Sequence, residues 1–583
     1  SNHRCHGHYL AWTDDVDGLV AEIMGKPGGV CGGIGGSQHL CANGFFSNGI
    51  QGGIVPVAAG LAFVQKRKNL GGIIAVCIGD GTLGEGIVYE TLNIASKWRL
   101  PLLFMLENNG YAQSTSQNET LAGDICARAE AFGIETLHAD TWDADALAAT
   151  MQRAARIVRG EGRPAFVRVD TYRLAAHSKG DDDRDPVEIA DYRGRDPVDR
   201  FLARVERSHA ERLEELRARV ARAVDRASRE PPPSFTEPVR PARTARTLAG
   251  AAKSASTQLD AINAALRNWL ADDPELVLIG EDIRSPYGGA FKVTRGLSDA
   301  FPERVLNTPI SEAAIVGIGN GIGLGGARAV VEIMFGDFLG LAFDQIVNHA
   351  AKFHGMYNRK ARNPLVLRTP MGGGRGYGPT HSQNLEKHVA GIPGLTVLVM
   401  HRRTRVAELY AELRGRHEPV LIIENKLLYR ESAAAAPPRG YTVSEHGDGF
   451  PTTLVRPERA DVTLVAFGRM SVAAERAAER LADEEIYADL VYPLEVWPLD
   501  AEPILESVAR TGKLLVVEEG ASGFDLGAEV IACAAIAHRG ARRLHVRRVG
   551  ARPVPIPSAV TLERAVIPGE DDIVAACLEL FDE

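Results

Sequence analysis

The sequence has no apolar run approaching the roughly 20 residues that cross a bilayer, which argues against a membrane-spanning role. No signal peptide is visible. Cysteine is scarce and unpaired: seven residues scattered from Cys5 to Cys577, with neither the even count of a disulfide framework nor the paired spacing of a zinc site. A reducing, cytoplasmic compartment is the expectation. There is no excess of basic charge either. Lys+Arg is 66 against Asp+Glu 75, a net charge of −9 with pI ≈ 6.0. That balance excludes general binding to nucleic acid or to an anionic membrane surface. Apolar residues are not short: 45% of the 583 residues are hydrophobic and 24% charged, enough to bury real cores and to exclude disorder for most of the chain. At roughly 100–200 residues per domain, the length predicts three or four domains.

Glycine is the excess. Its 60 residues cluster, as GKPGGVCGGIGG at 25–36 and MGGGRGYG at 371–378. Such clusters are either surface turns or backbone that must approach something closely.

The first half alternates apolar runs with helical stretches. Ile73–Ile78 lacks polar alternation, as a buried parallel strand does. Gly79-Asp80-Gly81 follows, then a helix over about Gly86–Trp98, a strand at Leu102–Leu106, and another at Ala165–Val169, which together make a βαβ pattern. Residues 196–229 read as an exposed, charged helix. Residues 231–256 have a linker's composition, beginning with the proline-rich PPPSFTEPVRPA. Alternation restarts with a helix at Leu259–Leu270 and a strand at Leu276–Ile279. After the Ala/Pro/Gly stretch at 433–440, a third α/β pattern brings strands at Val462–Phe467, Ala488–Tyr492 and Leu514–Glu518 and a helix near 471–482. The expected domains are 1–230, 257–440 and 455–583.

Gly79-Asp80-Gly81 ends one strand, and twenty-six residues (82–107) separate it from Asn108-Asn109, which ends the next. The C-terminal edge of a parallel sheet is where ligands bind. A carboxylate and an amide oxygen at neighbouring strand ends are hard donors that suit Mg²⁺, with phosphate oxygens completing its octahedron.

GDG followed at this distance by NN resembles the thiamine diphosphate signature. The surrounding GDGTLGEGIVYETLNIASKWRLPLLFMLENNGYAQST is similar to the α subunit of the E1 components of 2-oxo acid dehydrogenases, as are RCHGH, GGIGGSQHL, NGIQGGIVPVAAG and TYRLAAHS. In the second half IGEDI, GGAFKVTRGL, NTPISEAAIVGIGNG, THSQNLEKHVAGIPGL and PVLIIENKLLYRE resemble the E1 β subunit. The likeness covers nearly the whole chain except the linker, and implies an α–β fusion. The implied fold is the α/β thiamine diphosphate-binding fold: two large doubly wound parallel-sheet domains and a smaller C-terminal α/β domain of transketolase type.

Carried over by motif, the resemblance implies Asp80, Asn109 and the Tyr111 carbonyl as ligands of Mg²⁺, with Gly79 in the same turn. It implies Arg4 on the diphosphate, whose charge a guanidinium suits, and Gly81 and Thr82 as N–H donors at a helix start. Gly49 and Gln51 would read the aminopyrimidine and Phe338 would pack on it. Glu312 would bond N1′ and so favour the tautomer that deprotonates the thiazolium. His177 and His381 would act as active-site histidines, one from each half. His6 and His8, clustered with His3 beside Arg4, are implied at the phosphate or substrate rim.

Two features depart from the family: Leu341 stands where a glutamine is common, and GPTH before Ser382 is similar to transketolases. The resemblance implies that a 2-oxo acid is decarboxylated and its acyl unit passed to a lipoyl group on an E2-like carrier; the alternative is cleavage of a ketose phosphate with transfer of a two-carbon ketol unit to a lipoyl or carrier protein. A non-catalytic, carrier-binding scaffold is the reading from another class. The acidic loop KGDDDRDP after His177 reads either as a closing loop or as a solvated charge run. In this family the diphosphate is held by the α-type part and the pyrimidine by the β-type part across an interface. A homodimer of fused chains is thus expected, with the small-residue stretch 313–331 suited to its interface.

Overall fold

The computed structural model describes the chain except residues 179, 181, 205–206, 235–244, 248–256, 433–435, 539–542 and 583, and the side chains of 207–209 and 245–247. Most of the 231–256 linker and part of the 433–440 stretch therefore lie outside the described residues. Two compact units result. The first comprises residues 1–237, 313–327 and 344–363; the second comprises 238–312, 328–343 and 364–583.

The first unit is built on β1 (Ile74–Gly79), β2 (Leu102–Asn108), β3 (Glu135–Asp140) and β4 (Ala165–Asp170), all parallel in the order β1-β2-β4-β3. The uninterrupted apolar runs of β1 and β2 are those of strands covered on both faces. Asp80 follows the last residue of β1 and Asn109 the last of β2, and these strands are neighbours, paired up to Gly79 and Glu107. The 196–229 segment forms helices Pro197–Arg204 and Arg207–Ser228. The second is not wholly exposed. It packs on helix Val16–Ile23, burying Ala223 and Ala227, and joins it through the pair Arg226–Asp17. A charged composition hid an alanine face only a few residues wide.

The small-residue stretch 313–331 also departs from expectation. Instead of lying open for a subunit interface, it is largely buried within the chain. Helix Glu312–Leu324 crosses helix Ile54–Arg67 so closely that a Cβ on Gly60 would meet Ile318 O at 2.2 Å. One on Gly321 would meet Val57 O at 2.0 Å. Residues 328–331 lie inside a strand of the second unit.

In the second unit a sheet is formed by β5 (Leu276–Gly280), β6 (Val305–Asn307), β7 (Arg328–Glu332), β8 (Leu365–Met371), β9 (Thr396–Val399) and β10 (Val420–Asn425). Its order is β9-β10-β8-β7-β5-β6, all parallel, with the short strand Glu495–Trp497 antiparallel beside β9. Arg368 of β8 is buried between Glu332 of β7 and Glu424 of β10, and its bidentate bonds to Glu424 measure 3.0 and 2.5 Å. A buried guanidinium is tolerable only with such compensation.

A further sheet holds β11 (Thr442–His446), β12 (Thr452–Arg456), β13 (Val462–Ala466), β14 (Ala488–Pro493), β15 (Lys513–Ala521) and β16 (His545–Ala551), in the order β16-β15-β13-β14-β12-β11. It is mixed: β13–β16 are parallel, whereas β12 runs antiparallel to β14 and to β11. Within the stretch read as linker, Ala245–Thr247 adds an antiparallel edge strand to β11. Edge pairing uses backbone groups alone, so composition could not reveal it.

Replacing Gly321 by alanine should lower the thermal midpoint, at a cost on the order of 3 kcal/mol, because the backbone of the facing helix at Val57 and Gly60 leaves no room for a methyl group. Gly160→Ala is the control, since a Cβ there meets nothing within 4 Å. Equal midpoints in calorimetric scans of the two variants would show that the helix crossing is not tight.

Candidate active site

In the first unit the C-terminal ends of β1 and β2 open into a cleft of about 420 Å³. Gly79, Asp80, Gly81, Thr82, Asn109 and Tyr111 line it, together with Arg4, Gly49, Gln51 and His177. Asp80 is 4% exposed, and its Oδ2 accepts from Gln117 Nε2 at 2.7 Å. Its Oδ1 is buried without a hydrogen-bond partner. Burial raises the Asp80 pKa against the opposing effect of the Gln117 amide and nearby backbone N–H groups.

Asn108 turns away from the cleft. It donates to Asp170 Oδ1 at 2.6 Å and accepts from Gln117, so of the Asn pair it is Asn109 that stays in the lining. Asn109 Oδ1 accepts the Tyr111 N–H at 3.0 Å, and Gly110 between them has φ 79°, the left-handed region that glycine enters without strain. Gln117 also donates its N–H to Gly110 O, closing the loop.

Gly81 and Thr82 sit in a 3₁₀ turn, Asp80–Gly84, ahead of helix Gly86–Lys97 rather than in its first turn. Thr82 Oγ1 donates to Gln51 Oε1 at 2.8 Å, and Gln51 Nε2 lies 2.6 Å from His3 Nδ1. Arg4 donates to His177 O at 2.8 Å, and the His3 and His177 rings stand 5.4 Å apart. A Cβ on Gly49 would lie 2.5 Å from Gln38 Oε1, so a side chain there would displace the Gln38 amide.

His6 and His8 do not line this cleft. Both belong to helix His6–Thr13, whose turn carries their rings elsewhere. His6 Nε2 contacts Ser37 O at 2.8 Å. His8 pairs with Glu107 at 3.2 Å, and hydrogen bonding toward Cys77 and Glu107 pushes its pKa up to about 10. Of the histidine cluster, the lining residue is His3.

The loop after His177 is not simply a solvated charge run. Arg184 is 6% exposed, donates to Arg173 O and Ala175 O, pairs with Asp182, and stacks on the Tyr111 and Tyr172 rings.

The second unit carries Glu312, Phe338 and His381. Glu312 opens its helix beside Glu281, just beyond the end of β5, and both are 6% exposed. Burial, then the charge of Glu312, pushes the Glu281 pKa up to about 7. His381 stands edge-on to Phe335 and Phe338, with centroids 4.7 and 5.2 Å away. Tyr377 and Phe291 extend that aromatic wall. Buried Lys426 donates to Gly372 O at 2.8 Å and to His381 O, and burial pulls its pKa down to about 8. Asp337, whose Oδ2 is buried without a hydrogen-bond partner, is raised by burial. The glycine cluster at 371–378 is a backbone cradle. The N–H groups of Gly374 and Gly376 both donate to the Glu563 carboxylate, and that of Gly373 to Glu519.

Arg173, Gln117, Glu281, Lys426 and Phe335 were not singled out by sequence. Arg173, Glu281 and Lys426 stand inside the motifs TYRLAAHS, IGEDI and PVLIIENKLLYRE, so the signal was there; Gln117 has none without the folded loop.

Residues 1–236 match the family model described as Dehydrogenase E1 component, 255–432 that of the transketolase pyrimidine binding domain, and 452–573 that of the transketolase C-terminal domain. The chain is 36% identical over 342 residues to the mitochondrial pyruvate dehydrogenase E1 component subunit beta-1 of Arabidopsis thaliana, an alignment covering 57% of this chain and 91% of that protein. It is 35% identical over 325 residues to the acetoin:2,6-dichlorophenolindophenol oxidoreductase subunit beta of Cupriavidus necator, covering 54% and 94%. A solved structure described as a split gene transketolase, inactive beta4 tetramer, aligns with 22% identity and a TM-score of 0.45 over 56% of this chain and 99% of that one.

The fold and the domain matches define a thiamine diphosphate-dependent enzyme with transketolase-type domains. Within that class the chain belongs to the E1 components of the 2-oxo acid dehydrogenases, with α-type and β-type parts in one polypeptide.

The Glu281 shift has a thermodynamic sign. Because its folded pKa lies above the usual carboxyl value of 4.5, the native state binds more protons than the unfolded state between about pH 4.5 and 7. Stability contributed by this group is complete below that window and is lost as pH rises through it. Glu281→Gln should therefore match wild type near pH 4.5 and, without cofactor, exceed it at pH 8 by on the order of 3 kcal/mol. Denaturant titrations at both values read this. No gain at pH 8 means that Glu281 ionises normally.

Proposed function

We propose that this chain decarboxylates a small 2-oxo acid on thiamine diphosphate held with Mg²⁺, and delivers the acyl unit to a lipoyl group of an E2-like carrier. The observation that carries the reading is the buried, unpartnered Oδ1 of Asp80 beside Asn109 in a cleft that also holds two guanidinium groups, Arg4 and Arg173. Hard oxygen donors of this kind fit a small dication, and the guanidinium groups fit a diphosphate. Asp80, Asn109 and the Tyr111 carbonyl hold the ion, and backbone N–H groups of Gly81 and Thr82 assist. Gly49 and Gln51 orient the aminopyrimidine with their backbone groups, and Phe338 packs on it. Glu312 holds a proton at N1′. When bound, thiamine diphosphate supplies the nucleophilic carbon and the electron sink. His177 and His381 steady the substrate carboxylate and move protons, while Lys426 fixes the His381 backbone.

The names of the Arabidopsis and Cupriavidus relatives support a pyruvate-sized donor. Turnover of pyruvate, branched 2-oxo acids, acetoin and a ketose phosphate with 2,6-dichlorophenolindophenol tests this, and activity with the ketose phosphate alone overturns it. The presence of α-type and β-type parts in one chain supports a homodimer. A fully active species of one chain mass in light scattering removes that part of the reading. All seven cysteines are free, which fits a reducing compartment such as the cytoplasm. Among the described residues no helix is long and apolar enough to cross a membrane.

Asp80→Ala should weaken Mg²⁺-dependent binding of thiamine diphosphate at least about tenfold, a loss of about 1.4 kcal/mol. Titration calorimetry showing unchanged affinity removes the metal assignment. Glu312→Gln should still bind the cofactor but slow hydrogen–deuterium exchange at its C2 by roughly 100-fold or more, since an amide cannot hold the carboxyl's proton at N1′. NMR finding wild-type exchange assigns that work to another residue.

A further inference from the structure

A His–Asp–Glu cluster in the second unit has no part in the reading above. His446 ends β11, Asp500 stands just before helix Glu502–Thr511, and Glu502 is its first residue. Each offers one ligand atom, and these atoms all lie within 4.8 Å of one another. His446 Nε2 is 3.6 Å from Asp500 Oδ2 and 3.7 Å from Glu502 Oε2. Both separations are too long for hydrogen bonds. The His446 side chain is 7% exposed, and its Nε2 is buried with no hydrogen-bond partner. That nitrogen has no hydrogen bond, and the two carboxylates face it at ion-pair distance.

We propose that His446, Asp500 and Glu502 bind a divalent transition ion of the Zn²⁺ type. Ligand atoms each about 2.0–2.1 Å from one ion at tetrahedral angles lie about 3.4 Å from one another. The observed 3.6 and 3.7 Å from His446 Nε2 are within a few tenths of an ångström of that spacing, and the two carboxylate oxygens lie within 4.8 Å of each other. The second oxygen of Asp500 is already engaged: Oδ1 accepts the Glu502 N–H at 3.1 Å, which turns Oδ2 toward the imidazole. Such outer bonds orient metal ligands. Glu502 has a 63% exposed side chain, so it gives the ion an entry path and can turn to bring its oxygen onto the ion. An imidazole with two carboxylates suits Zn²⁺, whereas Mg²⁺ and Ca²⁺ prefer all-oxygen shells. Water completes the coordination. The ion would tie the end of β11 to helix Glu502–Thr511. His446 also pairs with Ala245 of the edge segment, so the tie would fix the strand end on which that segment docks.

The test uses the full-length protein stripped with chelator and titrated with Zn²⁺ alone, in excess Mg²⁺ so that hard oxygen sites are filled. Wild type should retain one more Zn²⁺ per chain than His446→Gln, counted by mass spectrometry of the metal. Glu502→Gln should weaken that site at least about tenfold. Co²⁺ in place of Zn²⁺ should give visible absorption that His446→Gln loses and that Glu502→Gln reaches only at higher Co²⁺ concentration. Because Glu502 is at the surface, its variant keeps the test intact if His446→Gln does not fold. Equal Zn²⁺ affinity of wild type and Glu502→Gln in that titration overturns the proposal. So does the absence of tight Zn²⁺ binding by wild type, which leaves the cluster as an ion pair only.

Discussion

The crossing of helices Ile54–Arg67 and Glu312–Leu324 is the contact on which the first unit rests. It is set by the absence of side chains: Gly60 and Gly321 let each backbone reach the other, at positions where a methyl group would strike a carbonyl oxygen. That approach counts residues 313–327 and 344–363 with the first unit although they lie far along the chain. Buried polar bonds lock the arrangement. Gln345 donates to Gly53 O at 3.1 Å, Asn320 to Gln345 O at 3.1 Å, Asn363 to Asn320 Oδ1 at 2.8 Å, and Tyr357 to Ser47 O at 2.8 Å. Since helix Ile54–Arg67 follows directly on Gly49–Gly53, the same contact holds the wall of the cleft to which Gly49 and Gln51 belong.

The glycine-rich loops share a second device. Glu22 is fully buried and accepts from the N–H groups of Cys31, Gly33 and Gly36 at 2.7–2.9 Å, so the 25–36 loop folds round one carboxylate. Glu563 does the same for the loop after β8. In both cases a charged acceptor gathers backbone donors that would otherwise be left without partners, and charge-assisted bonds make that gathering strong. Glycine serves here less for mobility than for reaching positive φ, as at Gly33 and Gly374.

Ionisable groups near the strand ends are held away from their ordinary protonation behaviour, and burial is the largest cause at Asp80, Glu281, Asp337 and Lys426. A fold that spends stability on desolvated charge at the open edge of a parallel sheet concentrates chemistry there. Arg368 shows the contrasting case, a buried charge satisfied on both sides by Glu332 and Glu424 within the sheet.

The alternation of apolar runs along the chain determined the parallel strands by itself, because a strand covered on both faces must be apolar throughout. It likewise placed Asp80 and Asn109 at neighbouring strand ends, since that follows from strand order and spacing. Other features depend on distance in space rather than along the chain. The burial of helix Glu312–Leu324, the buried face of helix Arg207–Ser228 and the edge strand Ala245–Thr247 all require a partner that no local pattern names. The same holds for the site. Which of His3, His6 and His8 faces the cleft is decided by where helix His6–Thr13 begins. That Gln117 reaches Asp80, that Glu281 stands beside Glu312, and that Lys426 grips the His381 carbonyl are consequences of backbone turns and burial. Local sequence carries residue type and period, while the direction of a side chain and the dielectric around it exist only once the tertiary packing is complete.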